Sequence, residues 1–146
     1  MKIIYGDLIN LALQGKFDVI IHGCNCFHTM GAGIARQIKQ IFPDAYKIDL
    51  ETPYGDKEKL GKFSYVKCGK ITVVNLYSQF DFRGEHNVNY DAIRRGFDVI
   101  QNLFSGKRIG YPKIGAGLAG GDWKIIAPII DKELEGEDHT LVIFDK

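Results

Sequence analysis

No stretch of the chain approaches the ~20 consecutive apolar residues that cross a bilayer, and the opening Met1-Lys2-Ile3-Ile4-Tyr5 lacks the apolar run of a secretory leader. Neither membrane insertion nor export is expected. Charge of one sign is missing as well, because 19 Lys plus Arg stand against 18 Asp plus Glu for a formal net charge of +1. Such a balance offers no general field to a nucleic-acid backbone or an anionic lipid surface, so strong nucleic-acid binding is not expected and any anion recognition is local. The cysteines are few and odd in number, Cys24, Cys26 and Cys68, which argues against a disulfide framework and for a reduced, cytoplasmic protein. No repeat with a period of about 20–50 residues is found. No glycine cluster ends in the Gly-Lys-Ser or Gly-Lys-Thr of a Walker loop, which argues against ATP or GTP hydrolysis.

The 146 residues, 45% hydrophobic and 25% charged, suit one globular domain spanning 1–146, expected as a monomer. Short β-branched and aromatic runs predict strands at Lys2–Tyr5, Phe17–His22, Phe63–Lys67, Thr72–Tyr77, Arg108–Lys113 and Thr140–Phe144. Helical spacing predicts Ala32–Ile41 (Ile34, Ile38 and Ile41 on one face) and Tyr90–Phe104 (Ile93, Phe97, Ile100 and Phe104). A third helix is read over Trp123–Leu134, with Pro128 marking a kink or restart, and a short one near Ile9–Gln14. Lys47–Lys62, charged and holding Pro53, Gly55 and Gly61, is taken as a surface connection. Fully apolar strand centres alternating with helices predict a three-layer α/β/α fold around a mostly parallel mixed sheet.

Two glycine clusters at strand-to-helix junctions are the sharpest signal among the 17 glycines. They are Met30-Gly31-Ala32-Gly33-Ile34-Ala35 and Gly115-Ala116-Gly117-Leu118-Ala119-Gly120-Gly121. Glycines there permit positive φ and close approach of a ligand, and the free N–H groups of a helix start attract negative charge. Either cluster alone could be a tight turn; two on one edge of a parallel sheet suggest a shared diphosphate. The second matches G-x-G-x-x-G, but only 25 residues follow Gly121, too few for the dinucleotide fold that fingerprint opens.

His22-Gly23-Cys24-Asn25-Cys26-Phe27-His28 follows a buried strand. A fourth zinc ligand at the usual spacing is missing, so no metal or other cofactor is expected and the cysteines read as small core residues. His22 is either a satisfied interior histidine or a functional group at a strand end. Asp7 is either the N-cap of the short helix after it or an acceptor for the exocyclic amine of a base.

Together, Gly6-Asp7-Leu8, His22-Gly23-Cys24-Asn25-Cys26, Met30 to Ala35, and Pro112-Lys113-Ile114-Gly115-Ala116-Gly117-Leu118 through Trp123 resemble the macrodomain family, which binds ADP-ribose, over essentially the whole chain. The resemblance is strongest to its small stand-alone members: the yeast-type ADP-ribose 1″-phosphate phosphatases, an ADP-ribosylglutamate hydrolase and the DNA ADP-ribosyl glycohydrolase antitoxins. It implies that Asp7 and Leu8 receive the adenine amine, with Phe144 stacked on the ring. Gly31, Ala32, Gly33 and Ile34 would hold the diphosphate with Ile114, Gly115, Ala116, Gly117 and Leu118, and Asn25 would contact the distal ribose. His22 matches the histidine of the phosphatase subgroup.

The lysine and aspartate used by the glycohydrolases and the glutamate-linked hydrolase are replaced here by Gln79 and Ala119. A metal-independent phosphatase acting on ADP-ribose 1″-phosphate is therefore the expected activity, with His22 as nucleophile or acid/base and Asp81 or Asp122 orienting it. His28 and Ser78 would stand nearby. The rival expectations are a binding module without turnover and a hydrolase for ADP-ribose linked to a macromolecule or an acyl group.

Overall fold

The computed structural model describes residues 1–84, 87–117 and 119–144. Six strands, β1 (Lys2–Gly6), β2 (Val19–Cys24), β3 (Phe63–Cys68), β4 (Ile71–Tyr77), β5 (Ile109–Tyr111) and β6 (His139–Phe144), form one sheet in the order β1-β6-β5-β2-β4-β3. All neighbours are parallel except β3, which returns antiparallel on β4 through a tight connection. The sheet is thus mixed and mostly parallel, as the buried strand centres require.

Alternation along β2 divides the core between the two faces. Val19 and Ile21 point to one side with Val74 and Leu76, where α4 (Tyr90–Leu103) and α5 (Trp123–Glu133) cover them with Ile93, Phe97, Ile100, Ile126 and Ile130. Ile20 and Val73 point to the other, beneath α1 (Leu8–Leu13), α2 (Gly33–Ile41) and α3 (Pro43–Leu50), which contribute Ile9, Ala12, Ile38 and Ala45. The result is the expected three layers. α5 runs through Pro128 as one helix and does not restart there. No described helix is long and apolar enough to cross a membrane.

Two departures from the sequence reading affect the site. The connection 47–62 is not all loop: its first residues belong to α3, started by Pro43 at the first helical position with Asp44 beside it, and Lys57–Lys59 form a 3₁₀ turn. Only Ala45 and Asp49 of α3 are buried, so the apolar stripe that reveals a helix is missing. Strand β2, in turn, ends at Cys24, two residues beyond the expected His22, and β5 is cut to three residues by Pro112, which has no N–H to continue the ladder.

Candidate functional site

Because β2 and β5 are parallel neighbours, the segments leaving their C-terminal ends lie side by side. The chain turns from β2 to α2 on one face and from β5 to α5 on the other, which opens a crevice between them, as at the switch points of α/β sheets. Two cavities fill it. An inner one of about 560 Å³ is lined by Cys24, Asn25, Thr29, Gly31, Ala32, Gln79, Phe82, Ile114, Gly115 and Ala119 among others, and an edge one of about 520 Å³ by Asp7, Leu8, Gln37, Ala116, Ile143 and Phe144. They share Gly33, Ile34, Pro112, Lys113 and Gly117, so they are halves of one cleft.

The seam has backbone donors that could receive an anion. Helices α1, α4 and α5 each begin with an Asp or Asn whose carboxyl or amide oxygen accepts from a backbone N–H of the first turn. The start of α2 has no such cap: Ala32 precedes it, and its first-turn donors meet the cleft. Gly33 (φ +57°) and Gly115 (φ +77°) occupy left-handed backbone that side chains resist. Gly31 and Gly117 do not; a Cβ added to either meets nothing within 4 Å, so their role is to leave the cleft empty. The positive φ that glycine permits is used at only some of these positions.

Asp7 is the helix cap that one of its readings gave, and it also borders the cleft. Its Oδ1 accepts from Asn10 N–H at 3.0 Å as the cap of α1, and the residue also lines the edge cavity. Phe144 stands beside it, 63% exposed, a ring with a free face. Leu118 lies outside the described residues.

The proposed catalytic set is not assembled. His22 is fully buried and lines neither cavity. It sits two residues down the strand from Cys24, roughly 6.6 Å below the rim, with Nε2 donating to Asn75 Oδ1 at 2.6 Å and Cys24 Sγ 3.7 Å from Nδ1. Burial lowers its pKa to about 4, so it is a neutral interior imidazole. Asp81 does not touch it: its carboxylate binds Arg83 Nη2 at 3.0 Å, and that partner holds its pKa below the ordinary value. Asp122 is the cap of α5, accepting from Lys124 N–H at 2.9 Å. His28 bonds the Thr52 carbonyl, with Nε2 2.7 Å away, and Ser78 is buried.

What does line the inner cavity is neutral and polar. Asn25 is nearly buried and ties its own loop together, donating through Nδ2 to Thr29 Oγ1 at 2.5 Å and accepting through Oδ1 from Phe27 N–H at 2.8 Å. Gln79, in the place of the expected lysine, donates to the Asp81 carbonyl at 2.9 Å. The Cys24 thiol is pushed well up by burial, which disfavours a thiolate nucleophile. Beyond Phe82 the rim is aromatic: Phe27 meets Phe80, Tyr54 and Phe82 edge to face, with centroids 4.9, 5.4 and 6.3 Å apart. Among the described residues no group of three or more His, Cys, Asp or Glu is placed to hold a metal ion. Sequence reasoning had given no role to Lys113, Thr29, Gln37 or Phe82; Lys113 stood within the quoted motif, and its place as the last residue of the expected strand Arg108–Lys113 was the available signal.

No family model matches the chain. It is 39% identical over 140 residues to an uncharacterized 17.5 kDa protein of Enterobacteria phage T4, covering 90% of this chain and 88% of that one. It is 24% identical over 159 residues to an ADP-ribose 1″-phosphate phosphatase of Lodderomyces elongisporus, covering 99% of both. Among solved structures, the macrodomain of Thermus aquaticus DarG superposes with a TM-score of 0.74 at 20% identity over 99% of this chain and 97% of that one. A Trypanosoma brucei macrodomain in complex with ADP-ribose gives 0.71 at 18% over 98% and 63%. With the six-stranded sheet, its covering helices and the two glycine loops meeting at one cleft, these likenesses agree on one conclusion: the chain has the macrodomain fold.

Proposed function

We propose that the protein binds ADP-ribose along this cleft and hydrolyses ADP-ribose 1″-phosphate at its inner end. The observation that carries the binding is the seam, where an uncapped helix start and two glycine loops separate a cavity fitted for a ring from a cavity lined by neutral polar groups. Adenine then lies against Phe144 with its amine toward Asp7, the diphosphate crosses Gly33 and Gly117, and the distal ribose enters beside Asn25, Thr29 and Gln79. Support for turnover comes from the full-length likeness to a yeast phosphatase of that substrate. A binding module without turnover is the second reading, favoured because no carboxylate or imidazole lines the inner cavity among the described residues.

Two measurements test this. Calorimetry should show ADP-ribose binding far more tightly than AMP, which lacks the second phosphate and ribose; equal affinities would remove the shared diphosphate. Incubation with ADP-ribose 1″-phosphate in EDTA should release phosphate, and its absence would leave the binding module.

A further inference from the structure

One lysine holds a position that no other charged group has among the described residues. Lys113 lines both cavities, and it is the only cation among the described residues that line either; Asp7, at the far end of the edge cavity, is the only anion. Its side chain is exposed and follows Pro112 directly off the end of β5, so it stands on the seam itself.

The charges on either side of that seam differ in what they need. A diphosphate crossing the glycine loops is already met by the uncapped N-terminus of α2 and by loop N–H groups, donors fixed in the backbone that carry about half an elementary charge between them. Among its described lining, the inner cavity beyond has no carboxylate to repel a second anion and no charged group but this lysine. A group of charge about −1.5 to −2, such as a phosphate monoester on the distal sugar, would find its one full counter-charge there. Ligands ending in a neutral hydroxyl would leave the lysine with the diphosphate alone.

We propose that Lys113 is the specificity-determining residue of the cleft, selecting a nucleoside diphosphate sugar that carries a further phosphate on its distal ring over one that is neutral there. The proposal rests on the reading that ADP-ribose occupies the cleft. A lysine suits the task because its ammonium is a compact point charge on a flexible stem that can swing from one phosphate to the next.

The test compares ADP, ADP-ribose and ADP-ribose 1″-phosphate on the wild type, Lys113→Gln and Lys113→Arg, by competition against a fluorescent ADP-ribose, with KM replacing affinity if phosphate is released. Lys113→Gln should weaken the phosphorylated ligand by about ten- to a hundredfold, the range of one charge-assisted hydrogen bond. ADP and ADP-ribose should each lose about threefold or less, because the start of α2 and the loop N–H groups still hold the diphosphate. Lys113→Arg should keep most of the preference, and added salt should erode it in the wild type. An equal loss on all three ligands would assign the lysine to the diphosphate and overturn the proposal, as would no loss on any. If the wild type binds none of the three, the reading of the cleft itself fails, a result distinct from either.

Discussion

His22 Nε2 lies 2.6 Å from Asn75 Oδ1, directly across the β2–β4 ladder in which the two residues are register partners. An amide oxygen only accepts, so the imidazole proton is on Nε2. Asn75 in turn donates through Nδ2 to the Ala45 carbonyl at 2.9 Å and to Ser64 Oγ at 3.1 Å. The histidine is one member of a buried polar chain that continues through Ser64 and Tyr77 to Asp49.

That neutral imidazole gives a pH dependence with a definite sign. Its folded pKa of about 4 is below the ordinary 6.5, so the stability it supports is complete above 6.5 and is lost as pH falls toward 4, when the unfolded chain takes up the proton first. The full difference is worth about 3 kcal/mol. Unfolding curves between pH 7.5 and 4 should show the wild type losing stability more steeply than His22→Gln, and parallel curves would mean that the histidine titrates freely. The variant should cost about 1–3 kcal/mol at neutral pH yet keep its affinity for ADP-ribose and any phosphate release.

Tyr77→Phe should be destabilising at once and at neutral pH. The Tyr77 hydroxyl donates to Asp49 Oδ1 at 2.7 Å, and Asp49 is 1% exposed. Losing that donor leaves a buried carboxylate short of a partner, a cost of about 1.5–3 kcal/mol measurable by urea unfolding.

Gly117→Val and Gly115→Ala should separate binding from folding. A Cβ added at Gly117 enters the cleft and meets nothing within 4 Å, so the variant should unfold within about 0.5 kcal/mol of the wild type while ADP-ribose binding is abolished. At Gly115 an added Cβ meets Val88 Cγ2 at 2.7 Å in left-handed backbone, and stability should fall by about 1–3 kcal/mol. Calorimetry and thermal unfolding on both variants check the contrast.

Asp7→Ala should lose two things that Asp7→Asn divides. Removing the cap of α1 costs about 1 kcal/mol, which asparagine, an equally good cap, should restore. Asp7→Ala should also weaken ADP-ribose by about 1.5–3 kcal/mol while affecting the inosine analogue less, since hypoxanthine has no exocyclic amine to donate. Equal losses on the two ligands would place the base elsewhere.

The sheet, its layers and the two loops were legible because apolar strand centres and glycine clusters are local patterns. α3 was not, since a helix with two buried residues carries no stripe to read. His22 was misplaced through a two-residue error in where β2 ends, which turned an interior position into a rim position. Asp81 and Asp122 have suitable chemistry, but a neighbouring arginine and a helix start had already engaged them. Lys113 went unassigned because no local pattern shows that one side chain borders two cavities; that depends on β5 and β2 being neighbours.

The edge cavity is bounded by β1, an outermost strand with Lys2 through Tyr5 exposed, and by the last residues of β6. The inner cavity is bounded by β2, whose side chains are buried almost throughout. A single ligand held as proposed would span an exposed margin and a buried centre. Bound, it would act as a splint, and the amides of Ile3 to Gly6 should gain the most hydrogen-exchange protection, although most of the contacting backbone lies elsewhere.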